Sequence, residues 1–371
     1  MKKKANVIGA GILGLAYARA LAEIGYSVTV FERSQQSRGS SIRNFGMIWP
    51  IGQHSNGYLN RALRTREIWL DICKKSKIWH SCMGSLQILQ GEKELELAEQ
   101  FYQSEKNYRD GLTILNKEQL IDALPHANKT VSGAISSATE VVVESREAIR
   151  QIPIYLSEKY DICFYFGTAV TECLPGKVKT NLGMTYEADL CILASGYETQ
   201  LLYADVFKEA PITISSLNMF RTSPLLSSIP SICGGLSFLH YPAYEVCQSL
   251  PEYHNHCIHK YPALLQNGIH LLISQNQEGQ LTIGDSHHYG DYHDPFREDS
   301  IDNLIIDYMN ELLVIENLEI KQRWTGQYLK MTNGSSEWFT EIEDGVYIAN
   351  GPGGAGMTLG WGMAEETINK I

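Results

Sequence analysis

The apolar and polar positions at the start of the chain predict a strand, a helix and a second strand. Ala5–Ile8 is a short apolar run of strand length, and Ile12–Ile24 carries apolar residues at helical spacing. Ser27–Phe31 follows with the apolar, β-branched composition of another buried strand. A strand–helix–strand unit of this kind is typical of a parallel sheet that is covered by helices.

The same patterns predict further elements along the chain. Residues 59–74 and 92–108 are helical and largely polar, and a helix is expected at the end of the chain. Residues 269–275 and 279–283 are expected to pair as a hairpin around Asn276. The other predicted strands are Ser85–Leu89, Asp161–Phe166, Tyr186–Leu193, Pro211–Arg221 and Gly345–Ala349.

A glycine-rich turn joins the first predicted strand to the first helix. Gly9, Gly11 and Gly14 match the spacing G-x-G-x-x-G. In a dinucleotide site these glycines permit a tight turn, a close approach of backbone to pyrophosphate, and packing of the helix on the strand. Glu32 ends the second strand, where a carboxylate can accept hydrogen bonds from a ribose diol. The segment predicts a bound dinucleotide, and an ordinary turn of a βαβ unit is the alternative.

Later segments rich in small residues favour FAD over NAD. The loop Ser37–Met47 combines glycine, serine and arginine, so backbone can pass close to a large planar cofactor and its phosphates. Ala194-Ser195-Gly196 follows a predicted strand, and ligands of doubly wound sheets lie at such strand ends. Gly351–Leu359 leads into the last helix, whose dipole can stabilise negative charge on a reduced flavin.

Composition and charge narrow the class of protein. The 371 residues include 31 basic and 42 acidic side chains, and the net charge of −11 disfavours nucleic acid and anionic membranes as partners. No segment has the ~20 uninterrupted apolar residues of a membrane span. Lys2–Lys4 and the apolar run after them imitate a secretory signal, but that interpretation leaves the glycine positions unexplained. The eight cysteines are scattered, so we expect free thiols in a reducing, cytoplasmic compartment.

Five separated motifs occur in order along essentially the whole chain. They are Gly9–Gly14 with Glu32, Ser41-x-Arg43-Asn44-x-Gly46, Ala194-Ser195-Gly196, Arg323-Trp324-Thr325-Gly326 and Gly353–Leu359. Together they resemble the D-amino-acid oxidase / glycine oxidase / sarcosine oxidase superfamily. The resemblance implies an α/β fold in which a Rossmann-like FAD-binding domain is built from discontinuous segments, residues 1–84, 140–208 and 322–371. A second, α+β substrate domain would take residues 85–139 and 209–321, and its antiparallel sheet would cover the flavin.

Several phrases are closer to one subgroup of that superfamily. These phrases are Ser40–Gly52, Leu217–Thr222, Gly268–Asn276, Gly284–Gly290 and Gly351–Leu359. They resemble a subgroup proposed to oxidise aminophosphonates related to 2-aminoethylphosphonate. The C-terminal motif lacks a cysteine that matches the covalent flavin attachment of sarcosine oxidases, so the resemblance implies that FAD is bound noncovalently.

The motifs and the resemblance together give the expected cofactor contacts. By the resemblance, the backbone of Val170 would meet the adenine, and the loop from Ser41 to Met47 would lie beside the flavin. The complete set is Gly9, Gly11, Ile12, Leu13, Gly14, Glu32, Arg33, Ser41, Arg43, Asn44, Gly46, Met47, Val170, Ala194, Ser195, Gly196, Gly353, Gly354, Gly356, Met357 and Thr358.

Four residues are candidates for substrate binding. Arg323 is the first, because a guanidinium can bind a carboxylate or phosphonate through two hydrogen bonds, although a structural salt bridge is an equal alternative. His287 follows a strand in the segment expected to face the flavin, and it can equally serve the loop alone. Arg43 and Tyr328 complete the set.

The remaining histidines do not predict a metal site. His254, His256 and His259 lie beside Cys257, but their spacing matches neither H-E-x-x-H nor a zinc-finger pattern. We therefore predict no metal, and we name no catalytic base.

The favoured function is FAD-dependent oxidation of a small amine or amino-acid-like substrate, with oxygen or another electron acceptor. A neutral amine would give a hydride from its α carbon to flavin N5, and water would hydrolyse the resulting imine. Two alternatives stay open because fold analogy cannot separate them. They are an FAD-dependent dehydrogenase of a small hydroxy acid or polyol, and a flavin-binding protein without turnover.

Overall fold

The computed structural model describes residues 2–291 and 293–371. Within them the α-helices are α1 (Ile12–Glu23), α2 (Tyr58–Ser76), α3 (Gly91–Glu105), α4 (Lys117–Ala123), α5 (Ser145–Tyr160), α6 (Ala204–Glu209), α7 (Leu250–Lys260), α8 (Pro262–Gln266), α9 (Asp299–Leu312) and α10 (Gly356–Ile368).

The strands of the described residues form four sheets. In chain order they are β1 (Lys4–Ile8), β2 (Ser27–Glu32), β3 (Met47–Ile48), β4 (His80–Ser81), β5 (Ser85–Leu89), β6 (Thr113–Asn116), β7 (Gly133–Ser137), β8 (Val141–Val143), β9 (Cys163–Phe166), β10 (Val170–Leu174), β11 (Lys177–Thr180), β12 (Thr185–Glu187), β13 (Leu190–Leu193), β14 (Ile212–Pro224), β15 (Ser231–Cys233), β16 (Leu272–Gln275), β17 (Gln280–Gly284), β18 (His288–Gly290), β19 (Ile320–Met331), β20 (Trp338–Glu343) and β21 (Val346–Asn350).

A six-stranded sheet contains the strands next to the glycine-rich turns. Its order is β20–β21–β13–β1–β2–β9, with β1 parallel to both of its neighbours and β20 antiparallel to β21. Parallel strands need cover on both faces. One face packs against α1, α2, α5 and α10, where Trp69 and Trp361 meet edge to face at 5.7 Å between ring centroids. The antiparallel sheet β10–β11–β12 covers the other face.

A second large sheet is mostly antiparallel and carries nine strands. Its order is β18–β14–β17–β16–β15–β5–β7–β6, and β19 pairs with β14 along nearly all of its length. Helices α3, α7, α8 and α9 pack on it through a separate apolar core. The expected α/β fold, with antiparallel sheets beside the parallel one, is confirmed.

The division of the chain into two domains stays a prediction. Strand β19 crosses the predicted boundary at residue 322, and it hydrogen-bonds to β14 from Ile320 to Met331. If hydrogen bonding defines the domains, the boundary belongs after Met331 rather than at 322.

Most predicted elements are found within a few residues of their expected ends, with one clear difference. The run Tyr186–Leu193, predicted as one strand, is divided between β12 and β13. Strand β12 pairs with β11, whereas β13 lies between β1 and β21 in the six-stranded sheet. The chain changes sheets at Asp189, whose backbone N–H donates to the carbonyl of Lys4 at 2.9 Å.

Two other observations concern the whole of the described chain. None of its helices is both long and apolar enough to cross a membrane. Its eight cysteines carry free thiols.

Gly14 sets the approach of α1 to β1, which gives a first prediction. A Cβ atom at this position would lie 1.8 Å from the backbone oxygen of Gly9, so alanine must displace the helix. We expect Gly14→Ala to lower the free energy of unfolding by about 1–3 kcal/mol, the usual cost of overpacking. The urea midpoint, followed by circular dichroism, measures the change.

Gly360 in α10 provides the matched control. Its Cβ atom would stand at ordinary contact distance, 3.4 Å from the Cδ2 atom of Leu13. Because alanine is favoured over glycine inside a helix by about 1 kcal/mol, Gly360→Ala should keep or raise stability. Equal losses in both variants would contradict the role given to Gly14.

Candidate cofactor and substrate site

A cavity of about 380 Å³ lies where the six-stranded sheet meets the nine-stranded sheet. One side, here called the glycine wall, consists of Gly11–Leu13, the loop Ser40–Met47 and the segment Asn350–Thr358. The other side, here called the sheet wall, comes from β14, β19, the residues that follow β17, the segment His240–Pro242, His270 just before β16 and Leu272 at the start of β16. The cavity therefore lies at the carboxyl edge of the parallel strands, where ligands of such sheets bind.

The first glycine turn is shaped for close backbone contacts. Gly9 has a φ of +106°, and a Cβ atom there would lie 2.4 Å from the carbonyl oxygen of Ala194. Gly11 begins α1, which has neither a side-chain cap nor an acidic residue in its first turn. The backbone N–H of Ile12 donates to the Ser41 hydroxyl at 2.9 Å. A helix N-terminus of this kind keeps its positive end available to an anion.

Glu32 is held against this turn. One carboxylate oxygen accepts from the backbone N–H of Ala10 at 3.1 Å, and the other accepts from that of Ser34 at 3.0 Å. The Arg33 guanidinium turns away and pairs with Glu198 at 2.9 Å. The arrangement fits an acidic side chain at the sugar end of a dinucleotide.

The loop after β2 folds back on itself and reaches the sheet wall. The Asn44 amide donates to the Ser40 carbonyl at 2.9 Å and accepts from the Gly46 N–H at 2.7 Å. The Ser40 hydroxyl donates to the carbonyl of Gln327 in β19. The Arg43 guanidinium donates to the Thr325 carbonyl at 3.3 Å. These contacts tie the glycine wall to the sheet wall.

A second helix N-terminus borders the same cavity. Helix α10 begins at Gly356, again without a side-chain cap or an acidic residue in its first turn. A Cβ atom on Gly356 would come within 3.3 Å of the Ile12 side chain in α1, so the two helix starts are neighbours. The Thr358 hydroxyl accepts from the Trp49 N–H at 2.9 Å. Two positive helix ends thus converge on one cavity, which suits a cofactor with phosphates and an electron-rich ring.

The structure brings most of the expected cofactor contacts to this cavity. Those that line it are Gly11, Ile12, Leu13, Ser41, Arg43, Asn44, Met47, Ala194, Gly196, Gly353, Gly354, Gly356, Met357 and Thr358. The others do not line it. They are Gly9, Gly14, Glu32, Arg33, Gly46, Val170 and Ser195, of which Val170 packs in an apolar core and Gly46 has a φ of +71° against the Val143 carbonyl.

The sheet wall carries a cluster of ionisable side chains. Asp285 is 6% exposed, and one of its carboxylate oxygens, Oδ1, has no hydrogen-bond partner among the described residues. The Nε2 atom of His270 lies 3.4 Å from Oδ1, without the geometry of a hydrogen bond, and that of His287 lies 3.8 Å from Oδ2. The Nδ1 atom of His287 is 2.9 Å from the Gly268 carbonyl, which fixes Nδ1 as the protonated nitrogen because a carbonyl only accepts.

Burial makes this cluster electrically neutral near pH 7. It raises the pKa of the Asp285 carboxyl to about 8. Burial also lowers the pKa of His287 to about 4. The positive charge of Lys330 lowers this pKa further, whereas the hydrogen bond to Gly268 raises it. The pKa of His270 is likewise held well below its ordinary range, first by burial and then by His287. The two His–Asp contacts are therefore not ion pairs at neutral pH.

The histidines of this wall are not arranged as metal ligands. His240, His270 and His287 each bring a ring nitrogen within 4.8 Å of the others. However, the rings of His240 and His270 stack face to face, with centroids 3.7 Å apart and planes 17° from parallel. Lone pairs in nearly parallel, stacked planes do not converge on one ion, so His240 and His270 are not placed to share a metal.

The candidate substrate residues are only partly brought together. Arg43, His287 and Tyr328 line the cavity, but Arg323 does not, which corrects its expected position at the substrate. The Arg323 Nε–H donates to the carboxylate of Asp302 at 3.0 Å, and its side chain is 44% exposed. Asp302 is buried and also accepts from Arg297 at 2.5 Å. Arg323 is thus part of a structural ion-pair group.

Four further residues line the cavity although no motif in the sequence points to a role for them, namely Asp285, His240, His270 and Lys330. Asp285 and His270 lie in the quoted phrases Gly284–Gly290 and Gly268–Asn276, so the resemblance pointed at their segments. Lys330 lies near the end of β19 and donates to the Tyr289 hydroxyl at 3.2 Å. Periodicity gave no reason to separate these residues from other polar positions.

Comparison with known proteins defines the class. Residues 4–369 match the DAO family, whose description is FAD dependent oxidoreductase. The chain therefore belongs to the DAO family, it is an FAD-dependent oxidoreductase, and FAD is its cofactor. The glycine wall described above fits that cofactor.

Solved structures share the fold at low sequence identity. Glycine oxidase from Geobacillus kaustophilus has a TM-score of 0.79 at 16% identity, covering 100% of this chain and 95% of its own. L-proline dehydrogenase from P. horikoshii has a TM-score of 0.80 at 20% identity, with 100% and 94% covered. L-alpha-glycerophosphate oxidase from Mycoplasma pneumoniae, solved with FAD bound, has a TM-score of 0.76 at 15% identity, with 100% and 94% covered.

One curated relative matches over a short stretch. The tRNA 5-methylaminomethyl-2-thiouridine biosynthesis bifunctional protein of Chromohalobacter salexigens is 33% identical over 100 residues. The match takes in 26% of this chain and 14% of that protein, so the chain corresponds to a small part of the relative.

The second prediction tests the glycine wall. A Cβ atom on Gly11 would already lie 3.0 Å from the Ser41 hydroxyl, and a valine would extend further into the expected pyrophosphate path. We expect Gly11→Val to fold but to lose FAD, measured as flavin released per chain on denaturation. Gly360→Ala is the control, because its Cβ position meets only ordinary contacts and the residue does not line the cavity. Full FAD content in a folded Gly11→Val protein would place the phosphates elsewhere.

Proposed function

We propose that the protein oxidises a small amine that also carries an anionic group, an amino acid or an aminophosphonate. The observation that supports this most strongly is the sheet wall, which presents hydrogen-bond acceptors to the cavity. FAD, bound noncovalently at the glycine wall, would supply the acceptor for a hydride from the substrate α carbon. The chain supplies binding, orientation and exclusion of water.

The acceptor atoms of the sheet wall suit an amine. Because Nδ1 of His287 donates to Gly268, its Nε2 atom carries a lone pair. Asp285 also lines the cavity, and once deprotonated its carboxylate is a further acceptor, with no hydrogen bond from the described residues to its Oδ1 atom. An amino group brings two or three N–H donors, whereas a hydroxyl brings one. An amine can therefore donate hydrogen bonds to more of the acceptor atoms on this wall than an alcohol can.

Apolar side chains complete the same wall. Leu217 and Met219 of β14 and Leu272 of β16 line the cavity between the polar groups. Such side chains exclude water, and hydrogen bonds and charges act more strongly in a dry site. This composition supports hydride transfer from a substrate that is held by a few polar contacts.

Two cations line the cavity and support an anionic group on the substrate. They are Arg43, on the loop of the glycine wall, and Lys330, on β19. The chain carries a net charge of −11, so a carboxylate or phosphonate needs such local cations. A phosphonate differs from a carboxylate in size and charge, and the choice between them is left to the substrate screen.

The third prediction is the substrate screen. Under anaerobic conditions, a true substrate bleaches the flavin absorbance because its electrons have no other acceptor. We expect bleaching by one or more of glycine, D- and L-amino acids and 2-aminoethylphosphonate. Lactate and glycerol 3-phosphate serve as matched hydroxy compounds. If only the hydroxy compounds bleach the flavin, the protein is a dehydrogenase of hydroxy compounds. If no compound bleaches it, the protein binds flavin without turnover.

The fourth prediction concerns Lys330. We expect Lys330→Met to raise the KM of the anionic amine found in the screen at least about tenfold, which corresponds to about 1.4 kcal/mol. The KM of an alkylamine without an anionic group should change little.

Two variants on the same strand are controls for Lys330. Lys321 is exposed and pairs with Glu319, and Arg323 pairs with Asp302. Lys321→Met and Arg323→Met should leave KM within about twofold of the unaltered protein, since neither side chain lines the cavity. A larger rise in KM for Arg323→Met than for Lys330→Met would show that Arg323, and not Lys330, binds the anionic group.

A further inference from the structure

The unpartnered carboxylate oxygen of Asp285 requires an explanation. Buried polar atoms are nearly always hydrogen-bonded, and a buried charge without a partner is costly. Oδ1 of Asp285 has no partner among the described residues, although the side chain is 8% exposed and lines the cavity. Oδ1 itself is covered by protein, but the carboxyl group lines the cavity, and its other oxygen, Oδ2, lies 3.8 Å from the Nε2 atom of His287. A ligand that enters the cavity with an N–H donor can therefore bind the carboxyl through Oδ2.

We propose that Asp285 binds the ammonium group of the substrate and accepts its proton, an inference that rests on the proposed function. In this step an N–H bond of the ammonium breaks and an O–H bond forms on Asp285. The electron pair stays on nitrogen, and the substrate becomes a neutral amine. Only this form can give up a hydride easily, because its lone pair stabilises the positive charge that develops on the α carbon.

The surroundings of Asp285 favour this role over a structural one. The groups that face it from the neighbouring elements are His270 before β16, His287 before β18, His240 and Tyr241 after the 3₁₀ helix Gly235–Leu239, and Tyr328 and Lys330 of β19. No N–H or O–H of these groups is hydrogen-bonded to Oδ1. A structural carboxylate in this protein looks different. Asp302 accepts from Arg297, Arg323 and Asn218.

The protonation behaviour of Asp285 matches a proton acceptor. Burial raises its pKa to about 8, and a general base is most effective when its pKa lies near the pH of the reaction, here near neutral pH. An arriving ammonium favours the carboxylate through its charge, and the transfer then returns both groups to their neutral forms. Burial keeps the pKa values of Tyr241 and Tyr328 above their ordinary range, so both hydroxyls stay neutral and place no negative charge beside Asp285.

The fifth prediction compares Asp285→Asn with Asp291→Asn, a matched change at an exposed position of the same segment. For the unaltered protein, kcat/KM should fall as the pH drops below about 8, because a protonated Asp285 cannot accept the proton. Asp285→Asn should lower kcat/KM at pH 7 at least about 100-fold and keep its FAD. In Asp285→Asn the pH dependence of kcat/KM should instead be set by the pKa of the substrate amine, so it should shift when amines of different basicity are compared. Asp291→Asn should behave as the unaltered protein.

Chemical rescue separates proton acceptance from a merely structural effect. Asp285→Ala leaves a space at the position of the carboxyl, and added formate should restore kcat in a saturable manner. The unaltered protein should not respond to formate. No rescue, together with an unchanged pH profile in Asp285→Asn, would overturn the proposal.

A binding measurement works without turnover. tert-Butylamine has no α hydrogen, so it can bind as an ammonium ion but cannot be oxidised. Its binding should perturb the flavin spectrum of the unaltered protein and weaken at least about tenfold in Asp285→Asn. Equal binding by both would overturn the inference even if amines are substrates. If tert-butylamine binding depends on Asp285 but no amine is oxidised, the ammonium site is supported and the proposed function is rejected.

Discussion

The close contact between the turn after β1 and the start of α1 is the constraint on which the rest of the site depends. Gly14 lies against the Gly9 carbonyl, and Gly9 lies against that of Ala194, at distances that leave no room for a side chain. This contact places the N-terminus of α1 at the carboxyl edge of the sheet, beside the start of α10. Because the N-cap residues of both helices make no capping hydrogen bond and neither first turn carries an acidic residue, both helices keep their positive ends directed at one cavity.

The two walls of the cavity then have complementary chemistry. The glycine wall offers backbone N–H groups and helix dipoles, which suit phosphates and an electron-accepting ring. The sheet wall offers acceptors that burial holds neutral, namely Asp285 and His287, among apolar side chains. A substrate bound between them would have its nitrogen at acceptors and its anionic group near Lys330. The same burial that raises the pKa of Asp285 makes it able to take a proton near neutral pH.

The candidate cofactor contacts could largely be predicted, because each motif is local in sequence. Gly11, Ser41 and Gly356 were found as parts of short motifs, and the structure places all three at the cavity. Arg323 shows the limit of this approach. It lies in a motif with the right chemistry, but its partner Asp302 is 21 residues away on α9, and no pattern in the sequence joins them. Whether such an arginine binds the substrate or forms a structural ion pair depends on the strand face on which it lies.

The strand–glycine turn–helix unit and the second glycine-rich helix start can be recognised in the sequence alone, since turn geometry needs residues without a Cβ at fixed spacings. The apolar periodicity likewise indicates the α/β class. The division of residues 186–193 between two sheets and the assembly of the sheet wall, in contrast, depend on how distant segments pack. Asp285 and His287 lie in the turn between β17 and β18, whereas Lys330 lies on β19. The protonation of Asp285 and His287 follows from burial, which depends on the packed fold and not on neighbours in the chain.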